Sequence, residues 1–122
     1  MTTKILIIDD SSKFRETLAL YLKKELSAIE IVEASTGEIG VDLAINESFD
    51  VILMDLQLPQ MDGIAAAEKI KKTLPHSVII LLSLFAGDML KQNNVSKAID
   101  EVVGKNGIET RLMPLLHKYL HT

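Results

Sequence analysis

Five short aliphatic runs, separated by longer amphipathic segments, constrain the fold of this chain more than any other feature. The runs occupy residues 4–9, 30–34, 51–55, 78–83 and 101–104. They are rich in Ile, Leu and Val without polar alternation, which is typical of strands that are covered on both faces and belong to a parallel sheet. Because parallel strands need crossover connections, the segments between the runs are expected to form helices.

The segment after the first run has the spacing of an amphipathic helix. Phe14, Leu18 and Leu22 recur at helical intervals, and charged residues occupy the opposite face. The same alternation continues with segments near residues 37–48, 64–74, 86–98 and 108–120. The pattern therefore gives five βα units.

The last of these segments contains Pro114. Proline fits only the first turn of a helix without loss, so this helix is predicted to start near Thr110 or to bend there. With right-handed crossovers, the whole chain is predicted to be an α/β protein of one domain over residues 1–122. The expected architecture is a doubly wound, five-stranded parallel sheet in a flavodoxin-like (βα)5 sandwich.

Composition and charge narrow the class of protein. The 122 residues are 48% hydrophobic and only 4% aromatic, which suits an aliphatic core. The net charge of −4 with interspersed signs provides no basic stripe, so direct nucleic-acid binding by this chain is not expected. No apolar run approaches the roughly 20 residues that cross a bilayer, and the N-terminus lacks the long apolar region of a signal peptide. We therefore expect a cytoplasmic protein without membrane insertion.

Polar side chains end or directly follow four of the five aliphatic runs, where the strands are expected to end. In chain order they are Asp9, Asp10, Asp55, Ser83 and Lys105. Because the carboxyl ends of parallel strands meet at one edge of a sheet, these side chains are expected to lie together beside the point where the strand order reverses. A divalent cation relieves the repulsion of crowded carboxylates, and without cysteine any metal here must be a hard cation held by oxygen. Lysine and serine can hold phosphoryl oxygens, and a remaining carboxylate can act as a nucleophile.

Each of these residues, taken alone, has a simpler interpretation. Asp9 and Asp10 could cap the helix that follows, and Asp55 could be a loop residue satisfied by backbone amides. Ser83 could be a turn residue, and Lys105 could be a solvated surface lysine. The order of the complete set along the chain favours a functional site.

The loop after Asp55 carries the most specific signal. Residues 55–63 read DLQLPQMDG. With the acidic pair before it and Ser83 and Lys105 after it, this loop resembles the response-regulator receiver domains of two-component signalling over essentially the full chain. The resemblance implies that Asp55 accepts a phosphoryl group from a sensor histidine kinase or a histidine phosphotransfer protein, forming an aspartyl phosphate. It also implies that Lys105 and Ser83 hold the phosphoryl oxygens, and that a downstream protein or output domain reads the switched surface.

The resemblance further implies the cofactor and its ligands. Mg²⁺ would be bound by Asp10, Asp55 and the backbone carbonyl of Gln57, with Asp9 acting mainly through water. A hydrolase of the aspartyl-phosphate type would also use a strand-end Asp and Mg²⁺, but it usually needs a second Asp two positions later. Gln57 occupies that position. The prediction is therefore a switch and not an enzyme.

Three residues depart from the receiver pattern. Leu84 replaces a small residue, Val102 replaces a Phe or Tyr, and Asn106 follows the lysine where the family usually has a proline after a cis bond. A cis bond without proline costs ~3 kcal/mol, so a trans bond is predicted between Lys105 and Asn106. With Val102 in place of a ring, the signal is expected to travel through displacement of residues 83–94.

The same departures favour an alternative function, a degenerate receiver that acts as a phosphorylation-independent interaction module. The intact acidic pair, Asp55, Ser83 and Lys105 favour an active receiver. The last segment, 108–120, could pack on its own sheet or serve a homodimer. These alternatives stay open from the sequence.

Overall fold

The structure, a computed structural model, describes residues 2–84 and 96–120 of the chain. Its strands are β1 (Thr3–Ile8), β2 (Ile29–Ala34), β3 (Val51–Asp55), β4 (Ile79–Ser83) and β5 (Glu101–Gly104). All neighbouring strands pair in parallel, in the order β2-β1-β3-β4-β5. The predicted doubly wound, five-stranded parallel sheet is confirmed, and its strand order reverses between β1 and β3.

The described residues contain four α-helices. They are α1 (Ser12–Glu25), α2 (Gly37–Asn46), α3 (Gly63–Thr73) and α4 (Met113–Leu120). Each of the first three begins after a residue whose side-chain oxygen accepts a hydrogen bond from the backbone N–H three positions later; these residues are Ser11, Thr36 and Asp62. Such caps satisfy amides that have no partner within the helix, so they fix where each helix starts.

The start of α4 is irregular. A 3-10 turn over Lys105–Gly107 and a wider π turn over Ile108–Leu112 precede it, and Pro114 lies in its first turn. Proline has no N–H that could bond to a carbonyl of the preceding turn. The wide turn occurs in that preceding turn, where this bond is missing. The sequence predicts a helix that starts near Thr110 or bends there; Thr110 lies in the wide turn, and the regular helix begins three residues later, at Met113.

The sheet is covered on both faces, which explains the absence of polar alternation in its strands. Ile5 and Ile7 of β1 belong to a buried cluster with residues of α1 and α4. Leu6 and Ile8, which point to the other face, belong to a second cluster with residues of α2 and α3. Every residue of β3 and β4 is buried. These strands therefore run within a nonpolar layer, and their carboxyl ends emerge from it at one edge of the sheet.

The predicted segment 86–98 and the proposed switching segment 83–94 fall mostly on residues 85–95, which lie outside the described residues. Within the described part, Ala98 and Ile99 are buried on the same face of the sheet as α2 and α3. Among residues 2–84 and 96–120, no helix has the length and apolar character needed to span a bilayer.

Gly40 of α2 approaches the sheet closely at Ile8. A Cβ atom at Gly40 would lie 2.3 Å from Ile8 Cδ1 and 2.7 Å from Ile8 Cγ1. Ile8 is itself fully buried, so it has little room to withdraw. The distance between α2 and β1 therefore depends on the missing side chain at Gly40.

We expect Gly40→Ala to lower the free energy of unfolding by about 1–3 kcal/mol, because it overpacks the contact with Ile8. Urea unfolding measures the change. Gly107→Ala is the matched control, since a Cβ there would meet Arg111 Cδ at an ordinary 3.5 Å. Ile8→Val removes the atom in closest conflict and should recover part of the loss in the double variant. Equal stability of Gly40→Ala and the unchanged protein would contradict this account of the packing.

Candidate functional site

The carboxyl ends of β1, β3 and β5 bring three charged residues to the point where the strand order reverses. Asp55 ends β3, Asp9 follows β1, and Lys105 follows β5. One carboxylate oxygen from each of Asp9, Asp10 and Asp55 lies within 4.8 Å of the others. The structure thus brings together the acidic residues that the sequence singled out, in an arrangement that could hold a metal ion.

Lys105 bridges two of these carboxylates. Its Nζ donates to Asp9 Oδ2 at 2.9 Å and forms an ion pair with Asp55 Oδ1 at 3.4 Å. The other oxygen of Asp9, Oδ1, accepts a hydrogen bond from the backbone N–H of Ser11 at 2.8 Å. Asp9 is 1% exposed, whereas Asp10 is exposed to solvent. The two adjacent aspartates therefore differ, because protein donors already bind both oxygens of Asp9 while Asp10 faces water.

The electrostatics at Asp55 disfavour its charged form. Burial raises the pKa of Asp55, and the nearby Asp9 carboxylate raises it further. The Lys105 ammonium and the backbone N–H of Gln57 oppose both effects without cancelling them. Burial lowers the pKa of Lys105, but its hydrogen bond to Asp9 and the charges of the two carboxylates outweigh burial and raise it above the ordinary value. Lys105 is therefore cationic at neutral pH.

Ser83 ends β4 and is 2% exposed. It follows Leu82, which is the residue paired with Asp55 in the register of β3 and β4. Ser83 itself pairs with Gly104, the residue before Lys105. The register therefore places Ser83 on the same sheet edge as the charged residues. The next residue, Leu84, is 68% exposed.

Contacts in the structure explain two residues of the loop between β3 and α3. The backbone N–H of Gly63 donates to the carbonyl of Leu56 at 2.8 Å, so the loop turns back tightly after Asp55. A Cβ atom at Gly63 would lie 2.3 Å from the carbonyl oxygen of Asp55, which only glycine avoids. Asp62 caps α3 by accepting from the N–H of Ala65 at 2.8 Å. The carboxylate of Asp62 is thus explained by helix capping.

The backbone after β5 follows the course that its sequence predicts. The peptide bond between Lys105 and Asn106 is trans, which confirms the prediction made from the absence of proline. The chain continues directly into the 3-10 turn over Lys105–Gly107. Val102 of β5 is partly buried and packs against the cluster that also contains residues of α2 and α3.

Two residues of α1 contact the site and were not identified from the sequence. Arg15 donates from its guanidinium to the backbone carbonyl of Asp9 at 2.6 Å and to Glu33 at 2.9 Å. The ring of Phe14 lies with its centroid 4.3 Å from Lys105 Nζ. In the sequence both residues fit ordinary positions of an amphipathic helix. Their placement in the first turn after the acidic pair is the one signal that could have identified them.

A family model described as the response regulator receiver domain matches residues 5–117. The chain belongs to the response regulator receiver domain family. The solved structure of the response regulator protein TrrA from Thermotoga maritima, in complex with Mg²⁺-BeF, has a TM-score of 0.86 and 28% sequence identity, covering 97% of this chain and 99% of that chain. The receiver domain of AraT from Geobacillus stearothermophilus has a TM-score of 0.79 and 26% identity, covering 99% and 95%.

A longer relative is the transcriptional regulatory protein SrrA of Staphylococcus aureus. This receiver domain is 41% identical to it over 81 residues, which are 66% of the chain but 33% of the relative. The match therefore spans about a third of the length of that protein. The prediction of a two-component receiver domain is confirmed, and its acidic cluster is present among the described residues.

The raised pKa of Asp55 makes stability depend on pH. A carboxyl group whose pKa rises on folding holds its proton more tightly in the folded protein than in the unfolded chain. The free energy of unfolding therefore falls as the pH rises from the unfolded pKa through the folded pKa, and the full cost is reached above the folded pKa.

We expect Asp55→Asn to raise the free energy of unfolding at pH 7 in metal-free buffer, because the amide carries no charge. The gain should shrink as the pH is lowered through the pKa of Asp55. Urea unfolding at several pH values measures both effects. Asp42→Asn, the same change at an exposed position of α2, should alter stability little at pH 7, because no charge is buried there. An Asp55→Asn variant that is less stable than the unchanged protein at pH 7 would contradict the burial argument.

Proposed function

We propose that this receiver domain is an active phosphoacceptor, in which Asp55 takes a phosphoryl group from a phosphohistidine. The donor would be a sensor histidine kinase or a histidine phosphotransfer protein. The observation that carries the proposal is the surrounding of Asp55, whose Oδ1 lies 3.4 Å from the Lys105 ammonium and whose carboxylate shares a cluster with Asp10. The proposed nucleophile, an ammonium group and a second carboxylate thus lie together at one edge of the sheet.

The proposed reaction needs little besides position and charge stabilisation. An oxygen of Asp55 attacks phosphorus, the phosphorus–nitrogen bond of the donor breaks, and its electron pair returns to the imidazole. The product is an aspartyl phosphate. Lys105 would balance the charge on one phosphoryl oxygen, and the hydroxyl of Ser83 would donate to another. Because the Asp55 side chain is only 11% exposed, few water molecules compete as acceptors.

The donor set fits Mg²⁺, a hard cation that prefers oxygen ligands and retains some of its water. Asp10, Asp55 and the backbone carbonyl of Gln57 would hold the ion, which would neutralise carboxylate charge and polarise the phosphoryl oxygens. Asp9 would act mainly through water, since Lys105 and the Ser11 amide already occupy its oxygens. The Mg²⁺-BeF complex of TrrA, a relative at 28% identity, supports Mg²⁺ as the cation.

The output of the switch would be a changed protein-binding surface that a downstream protein or an output domain reads. We assign residues 1–122 to a single receiver domain that is not an enzyme and does not itself bind nucleic acid. A cytoplasmic location is part of the proposal, and a homodimer through the last segment is the form of self-association that the sequence suggests.

The second candidate function is a degenerate receiver that binds partners without being phosphorylated. Three departures from the receiver pattern favour it, namely Leu84, Val102 and Asn106. They replace residues that receivers commonly use to leave access to the acyl phosphate, to relay the signal and to shape the loop after the lysine. The acidic cluster and the Lys105 bridge favour the active receiver. Phosphorylation by a small donor separates the two.

Incubation with acetyl phosphate and Mg²⁺ should add the mass of one phosphoryl group, measured by intact-mass spectrometry. Asp55→Asn should abolish the addition, because an amide cannot form the acyl phosphate. Asp62→Asn is the matched control from the same loop, since asparagine caps a helix as well as aspartate does; it should still be phosphorylated. An unmodified wild-type protein would support the degenerate receiver, and a phosphorylated Asp55→Asn would place the acceptor elsewhere.

Metal binding and phosphoryl binding should be separable. Asp10→Asn should weaken Mg²⁺ binding by roughly tenfold, the effect of about 1.4 kcal/mol of lost ligand energy. Lys105→Ala should not weaken it, since the ammonium is assigned to the phosphoryl group. Calorimetric titration with MgCl₂ measures both. Unchanged affinity in Asp10→Asn would remove Asp10 from the ligand set.

A further inference from the structure

One contact of Lys105 is not used by the proposed reaction. The Nζ atom lies 4.3 Å from the centroid of the Phe14 ring. This is within the ~6 Å over which the face of an aromatic ring attracts a cation. The Lys105 side chain is 17% exposed, so the contact is partly shielded from water, which strengthens it.

Phe14 and Asp9 are both held by Ser11, the residue before α1. Asp9 Oδ1 accepts from the N–H of Ser11 at 2.8 Å, and Ser11 Oγ accepts from the N–H of Phe14 at 3.2 Å. The Phe14 ring contacts the Lys105 ammonium, which donates to Asp9 Oδ2 at 2.9 Å. The four residues therefore form a closed circuit of contacts between the ends of β1 and β5 and the first turn of α1.

Open space beside Lys105 offers its ammonium another position, so the contacts that hold the ammonium near the carboxylates matter. A groove of about 470 Å³ runs between α1 and residues 105–110, and both Phe14 and Lys105 line it. A lysine stem has four carbons and many rotamers, so the ammonium could turn into this groove and away from the carboxylates. The ring face gives the ammonium an attractive surface on the side of α1.

We propose that Phe14 is a positioning residue that keeps the Lys105 ammonium beside Asp55 for phosphoryl transfer. The inference rests on the proposed function of Lys105 toward the phosphoryl group. Phe14 itself does not contact the reacting atoms; it acts through the lysine. The pairing of an aromatic ring in the first turn of α1 with this lysine assigns α1 a part in the chemistry.

The test compares Phe14→Leu, which removes the ring and keeps an apolar side chain, with Phe14→Tyr, which keeps the ring. Phe14→Leu should be phosphorylated by acetyl phosphate roughly two- to tenfold more slowly, the range that loss of a partly shielded cation–π contact produces. Phe14→Tyr should restore the rate to within about twofold. Tyr21→Leu removes the other ring that α1 contributes to the groove and should leave the rate unchanged.

Two readouts distinguish positioning from a general structural role. The Mg²⁺ affinity of Phe14→Leu should equal that of the wild type, because Phe14 contacts the lysine and not a proposed metal ligand. The ε-methylene protons of Lys105, assigned by comparison with Lys105→Ala, should show an upfield ring-current shift in the NMR spectrum. This shift should disappear in Phe14→Leu and return in Phe14→Tyr.

The outcomes separate this inference from the proposed function. Absence of the ring-current shift in the wild-type protein would overturn the inference without any variant at Phe14. Loss of the shift in a folded Phe14→Leu with an unchanged phosphorylation rate would also overturn it, while the proposed function stands. A wild-type protein that shows the shift but is never phosphorylated would overturn the proposed function and, with it, the role of Phe14 in transfer.

Discussion

Repulsion among three carboxylates at one edge of the sheet is the constraint to which the rest of the site responds. A parallel sheet covered on both faces delivers Asp9 and Asp55 to its carboxyl edge, where both are almost fully buried. Burying unpaired charge is costly, and Lys105 offsets that cost by pairing with both. The cluster still disfavours the charged form of Asp55. The Mg²⁺ proposed for this site would therefore meet carboxylate charge that Lys105 alone does not neutralise.

Residues at the beginnings of α1 and α3 hold the acidic residues in place. Ser11 caps α1 and binds the N–H of Phe14, while its own N–H binds Asp9. Arg15, one residue further along α1, binds the backbone carbonyl of Asp9. At the other side, Gly63 lets α3 begin against the carbonyl of Asp55. The residue that caps α1 thus also binds Asp9 through its own N–H, so the start of this helix and the position of Asp9 are linked.

Much of the fold and the outline of the site could be predicted from the sequence, because the relevant signals are local. Uninterrupted runs such as residues 51–55 predict buried parallel strands, and the structure has β3 with those bounds. The carboxyl ends of such strands share an edge, which is why Asp55 and Lys105 could be expected together. Even the irregular start of α4 followed from Pro114, since the missing N–H is a property of one residue.

The contacts that select among these residues were decided only by the tertiary structure. The sequence identified Asp9, Asp10 and Lys105 but could not say that Lys105 binds Asp9, 96 positions away, and that Asp10 is left exposed. Nor could it place the Phe14 ring against the ammonium, because helical periodicity gives the face of a residue and not the rotamer or the neighbour across the groove. Periodicity and strand ends are fixed by short-range backbone geometry. The pairing of individual side chains depends on how α1, β1 and β5 pack together.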